Sequence, residues 1–255
     1  VPSCTSRPAA LLLCLLAGCA GGTDGGAAAP TTAPVASTTS ANPTTTTTTT
    51  TPSRVGVPLV IAEQGVSSFP DPYDITATLG GYGVVLENPD AELMATGVRV
   101  VTRVLDDAGT ELLVDNTLLN GILPGQRMAV GRTLIEPIEG PTQLEVSVDV
   151  SAWIPPASAD GRLVAEDVVT EPEEAGGAVT KFAVRSTWPD IEDGVDVTAV
   201  YRAADGRILG AESTTVKVVV PGQPVSGQIR LLSPIPDLAN TEVYVGRGFA
   251  ALTVG

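Results

Sequence analysis

The chain contains no histidine and three cysteines, Cys4, Cys14 and Cys19. Without imidazole it lacks the usual general base near neutral pH, the Ser-His-Asp and Cys-His nucleophile systems, and the commonest zinc ligand. Carboxylates remain, with 29 Asp and Glu against 14 Lys and Arg. Two of them about 5 to 9 Å apart, with separated pKa values, suffice for glycoside hydrolysis. The acids group as Asp106-Asp107, as Glu171, Glu173 and Glu174, and as Asp190, Glu192 and Asp193, in turns or polar stretches. Water keeps such side chains ordinary, so solvated loop charge is the expectation. Calcium needs six to eight oxygens in a defined order. Asp71-Pro72-Tyr73-Asp74 and Pro189-Asp190-Ile191-Glu192-Asp193 do not follow the EF-hand order. No catalytic residue, metal or cofactor is assigned. Trp153 and Trp188 are expected to anchor a core or a domain interface, since aromatics are only 4% of the chain and each indole buries a large area.

Cys19 is set apart by its surroundings. Arg7 precedes an apolar stretch from Ala9 to Leu16, and Leu16-Ala17-Gly18-Cys19 ends it. At ~1.5 Å per residue this stretch spans ~12 Å, far short of the ~30 Å hydrocarbon core, so it is too short for a spanning helix. The tetrapeptide resembles a bacterial lipobox. That resemblance implies cleavage between Gly18 and Cys19, lipid on the Cys19 sulfur, and a place on the extracytoplasmic face of the cell membrane. An ordinary secretory signal that contains a cysteine is the alternative. On the lipobox reading Cys4 and Cys14 leave with residues 1–18, so no disulfide can form and the exported part depends on its apolar core. One acyl chain binds membranes marginally, whereas two or three on one cysteine anchor stably.

Residues 19–53 read as a disordered tether. Asp24 is the only charge between Arg7 and Arg54, four prolines interrupt any helix, and Thr44 to Thr51 form an unbroken threonine run with nothing to bury. An O-glycosylated stalk and an unmodified spacer both fit this composition.

From Arg54 onward the chain becomes Val-rich and repeats itself. A shift of 97 residues lays Gly109 on Gly206, Pro124-Gly125-Gln126 on Pro221-Gly222-Gln223, Pro137-Ile138 on Pro234-Ile235, and Glu145-Val146 on Glu242-Val243. An internal duplication explains this register. Val98, Val100, Thr102 and Val104 alternate in the first copy, as do Val195, Val197, Ala199 and Tyr201 in the second. Period two means strand. Leu144 to Val150 and Val216 to Val220 alternate likewise, with Gly109 and Gly206 as turn glycines and both Pro-Gly pairs in the order of a type II turn. About seven strand-like runs per copy point to an all-β protein of two tandem Ig-like antiparallel sandwiches, since a single sheet would leave one Val-rich face wet. The expected domains are 54–154 and 161–255, with residues 155–160 as linker.

The copies resemble the FxLYD domain, an Ig-like module of bacterial and archaeal surface lipoproteins. The residues concerned are Glu87-Asn88-Pro89, Val98 to Val104, Asp106-Asp107-Ala108-Gly109 and Leu123-Pro124-Gly125-Gln126, with Ala204-Asp205-Gly206 and Val220-Pro221-Gly222-Gln223 in the second copy. The aromatic residues that name the family are missing apart from Tyr201. The resemblance implies a fold and a surface location, with no catalytic activity to carry over. Only two lysines, Lys181 and Lys217, among abundant Ala, Val, Gly and Arg suggest a GC-rich, actinobacterial genome. The formal net charge of −15 argues against nucleic acid as a partner and against lying flat on anionic lipid. The function expected is noncatalytic: a membrane-anchored lipoprotein that binds or positions an envelope protein or glycan. A carboxylate-dependent cell-wall glycan hydrolase or transferase is the alternative.

Overall fold

Period-two alternation resolves into twelve strands and, among the described residues, no helix. The computed structural model describes residues 55–248 apart from 72, 75, 135, 136, 139, 158–160 and 175. Gly18 and Cys19, together with residues 1–18 and 19–53, lie outside the described residues.

The first copy contains β1 (Val60–Pro70), β2 (Thr78–Glu87), β3 (Met94–Leu105), β4 (Glu111–Ile122), β5 (Arg127–Leu134) and β6 (Gln143–Ile154). The second contains β7 (Leu163–Pro172), β8 (Ala178–Ser186), β9 (Glu192–Arg202), β10 (Ile208–Val219), β11 (Val225–Leu231) and β12 (Asn240–Arg247). Each copy is a sandwich of two three-stranded antiparallel sheets, ordered β1-β2-β5 and β4-β3-β6 in the first, β7-β8-β11 and β10-β9-β12 in the second. Six strands per copy replace the seven that the alternation suggested.

The pairing registers repeat the duplication residue by residue. Val98 pairs with Leu119 and Val150, and its counterpart Val195 pairs with Val216 and Arg247. Even the irregularity near the β3–β4 turn, at Val104 and Leu105, recurs at Ile208 to Gly210 between β9 and β10. The turns behave as the sequence requires. Gly109 and Gly206 have φ of +82° and +86°. Gln126 and Gln223 donate their backbone N–H to the carbonyls of Leu123 and Val220, with Gly125 and Gly222 at φ of +65° and +71°.

Inward residues of β2, β3 and β5, among them Val84, Leu86, Val98, Val100, Met128 and Val130, fill the first core. Val184, Val195, Val197, Tyr201, Ile229 and Leu231 belong to the second. Fully burying one such aliphatic side chain contributes about 1.5–3 kcal/mol, so each copy has the apolar content to dispense with covalent staples. Both indoles fulfil the expectation set for them. Trp188 is buried against Gly161, and Trp153 is half-buried against Gly56 and the first core.

The two sandwiches are closed differently at the corner after their second strands. In the first, Asn88 is fully buried; its amide donates to the carbonyls of Leu93 and Ile122, while Asp90 accepts from the N–H groups of Val57, Glu92 and Leu93. In the second, Trp188 fills the corner, and Arg247 lies 4.9 Å from its ring centroid while donating to Glu192 at 2.9 Å. Glu192 was expected among solvated loop charges. It sits instead at the start of β9 with 2% of its surface exposed, because Arg247 on the paired strand β12 supplies a counter-ion.

Candidate functional site

The site is built on an unusual strand. β2 reads Thr-Leu-Gly-Gly-Tyr-Gly-Val-Val-Leu-Glu and is buried on both faces. Tyr82, Val84 and Leu86 face the first core, while Gly81, Gly83 and Val85 face the second sandwich, where β10 lies across β1, β2 and β5. The approach is close enough to require glycine. A Cβ at Gly81 would stand 2.5 Å from the Leu209 carbonyl oxygen, and one at Gly83 2.9 Å from an Ile208 methyl. Val85 and Ala129 pack on Val200, Ile208 and Ala211 in a small apolar core of their own. The sheets therefore stack in four layers, with β1-β2-β5 and β10-β9-β12 as the inner pair.

Polar groups frame this seam at both ends. At one end Arg202, with 7% of its side chain exposed, contacts Glu63 and Glu242 at 2.7 Å each, and Glu63 also holds Arg127. Tyr244 donates to Glu242 at 2.7 Å. The bulge in β1 between Ile61 and Glu63 falls beside this cluster. Hydrogen bonds from Arg127 first, and then from Arg202, hold the Glu63 carboxyl below the usual range despite some burial. Ser67 donates to the Leu209 carbonyl, and the Gln126 amide to the Val245 carbonyl at 2.7 Å. The Pro-Gly-Gln segment of the first copy thus makes a turn and also ties the two sandwiches together.

At the other end a cleft of about 490 Å³ opens between β5 and β10. Leu112, Leu134, Ile138 and the exposed Leu232 give it apolar walls, with Arg132 and Glu212 as the charged groups among its described residues. Glu212 accepts from the backbone N–H of Thr133 at 3.2 Å, covering part of the free edge of β5. Burial raises its pKa, offset in part by Thr133 and Arg132. Arg132 is engaged elsewhere, 3.8 Å from Asp115, which also accepts from the Tyr82 hydroxyl. A smaller crevice of about 190 Å³ between β4, β5, β9 and β10 contains Asp196, whose carboxyl is raised by burial and partly offset by Thr215.

The acids singled out in the sequence are dispersed rather than gathered. Asp106 accepts from the backbone of Ala108 and Thr110 inside its turn; Asp71 and Asp74 do the same for Tyr73 and Thr76. Glu171 pairs with Lys181, Glu173 with Arg230 at 3.0 Å, and Asp107, Glu174, Asp190 and Asp193 are exposed. Among the described residues no group of three or more potential ligands could hold a metal ion. Glu63 and Glu242 share Arg202, and the Glu63 carboxyl is held below its usual range. Glu212 and Asp196 are protonated more readily than usual, yet each is influenced by hydroxyl, amide or arginine neighbours rather than by a second acid.

Sequence reasoning missed Glu63, Arg202, Arg132 and Glu212. One signal was present: three glycines within five residues of a strand, in a Val-rich context, mark a close approach of backbones. No known protein family matches the chain, and no curated protein does.

Proposed function

We propose that this chain is a lipid-anchored, noncatalytic binding module of the bacterial cell envelope. Leu16-Ala17-Gly18-Cys19 supports the anchor, through lipid on Cys19 at the extracytoplasmic face of the cell membrane. The observation that carries the noncatalytic part is the separation of the two kinds of carboxylate. The close pair, Glu63 and Glu242, is bridged by Arg202, and the carboxyls raised by burial, Glu212 and Asp196, stand apart from other acids. Acid–base hydrolysis needs both kinds side by side. The seam supports a single ligand-presenting body rather than two beads on a string, because glycine contacts at van der Waals limits leave no room for sliding. Kinship with FxLYD modules belongs to the proposal and rests on the segments around Asn88, Gly109 and Pro124.

Two measurements test it. Cys19→Ser is expected to abolish partitioning into the detergent phase; unchanged partitioning overturns the anchor. The purified protein is expected to leave cell-wall glycan, peptide and ester substrates intact. Turnover lost on changing one Asp or Glu to its amide overturns the noncatalytic reading in favour of the carboxylate hydrolase.

A further inference from the structure

We propose that the cleft between β5 and β10 binds a peptide segment presenting an apolar side chain beside a lysine or arginine. The cation rests on Glu212, and the apolar group on Leu112, Leu134 and Leu232. The inference rests on the noncatalytic binding reading and names the chemistry of the partner.

Three observations converge on this occupant. The cleft, at about 490 Å³, has the size of a ligand site and lies at a domain seam, where such sites concentrate. Its walls are aliphatic, and Leu232 projects with 61% of its surface exposed although it follows a buried β11 residue, Leu231. Its acid has no ion pair: Glu212 accepts an N–H from Thr133, Arg132 offsets it only partly and through space, and among the described residues no lysine or arginine nitrogen lies within salt-bridge distance. Arg132, the guanidinium among the cleft's described residues, pairs instead with Asp115 at 3.8 Å. A half-buried carboxylate without an ion pair is costly in the empty cleft, and an incoming ammonium or guanidinium lowers that cost. The net charge of −15 draws cationic partners and repels acidic ones.

The test is fluorescence anisotropy of labelled acetyl-Leu-Lys-Leu-amide on the full chain in nonionic detergent, with the Gln and Glu versions of the peptide beside it. Saturable binding of the Lys peptide is expected, with little binding of the Gln peptide and none of the Glu peptide. Glu212→Gln should weaken the affinity about tenfold, and Leu232→Ser, which alters only an exposed side chain, several-fold. Asp149→Asn, which removes an exposed carboxylate on the edge strand β6 outside the cleft lining, should leave it unchanged. Equal binding of the Lys and Gln peptides, equal loss in both acid variants, or no binding overturns the proposal. Because Glu212→Gln keeps the shape and removes a buried charge, its unfolding midpoint should not fall, which separates lost binding from lost fold. A peptide recovered intact but unbound refutes this inference alone; a peptide recovered cleaved refutes the noncatalytic reading.

Discussion

Strands β2 and β8 occupy the same place in the two copies, yet one is buried on both faces and the other on one. The register puts Gly83 where the second copy has Lys181, Gly131 where it has Gln228, and Thr133 where it has Arg230. On the outer face of the second sandwich Lys181 pairs with Glu171, Arg185 with Glu166 and Arg230 with Glu173, all in water. On the corresponding face of the first, small side chains admit β10 to backbone contact. The seam joins two different faces, as in a head-to-tail stack, and such contacts propagate unless the terminal faces are polar. Arg99 and Arg103 on β3, and Lys181, Arg185 and Arg230 on β8 and β11, supply that polarity. A duplicated fold has thus been differentiated by face, with its hydrophobic interior kept nearly the same.

The largest effect should come from making β2 resemble β8 at the seam. Gly81→Val brings a side chain onto the Leu209 carbonyl, while its counterpart Val179 shows that the strand itself accepts valine. A loss of about 3 kcal/mol is expected, since overpacking a tight contact costs roughly that much and backbone cannot yield as a side chain can. Urea unfolding should then show two transitions in place of one. A single transition with an unchanged midpoint breaks the claim that the seam couples the sandwiches.

Next in size are the Asn88 corner and the Arg202 end of the seam. Asn88→Ala leaves the buried carbonyls of Leu93 and Ile122 without their donor and should destabilise the protein by about 2 kcal/mol. Arg202→Ala removes the cation that Glu63 and Glu242 share. Because both acids keep over a third of their surface in water, about 2 kcal/mol is expected rather than the 3–5 kcal/mol of a fully buried pair. Lys181→Ala, on the free face of the second copy, should change thermal stability by less than about 0.5 kcal/mol. A Lys181 effect as large as that of Arg202 would erase the distinction between the two faces.

The smallest effect is one of sign. Glu63 has a lowered pKa in the folded protein, so its contribution is present above its unfolded pKa and is lost as pH falls through the folded value. Glu212 has a raised pKa, so its contribution is present below the unfolded value and is lost as pH rises through the folded one. Glu63→Gln should therefore lower the unfolding midpoint at neutral pH, and Glu212→Gln should raise it or leave it level. Both differences should shrink in acid, where the native carboxyls are protonated. Two variants moving the midpoint in the same direction at neutral pH would show that the ends of the seam are not opposed.

The sequence by itself determined the repeat, the strands and the turns, because these depend on local periodicity. Val98 to Val104 and Val195 to Tyr201 each place alternate side chains on one face. Gly109, Gly206 and the two Pro-Gly pairs meet backbone requirements that only a few residue types satisfy. Only the tertiary structure decided which faces meet. Gly81 and Gly83 could have marked a bulge, a bend or a contact, and choosing among these depends on β10, more than a hundred residues away. The environments of the acids are nonlocal for the same reason. Glu192 looks like its neighbours Asp190 and Asp193 in sequence, and it is buried because Arg247 lies opposite on β12. Glu212 differs from the exposed acids only in having β5 packed against it. Burial and charge compensation are properties of what surrounds a side chain, and the fold assembles those surroundings from distant parts of the chain.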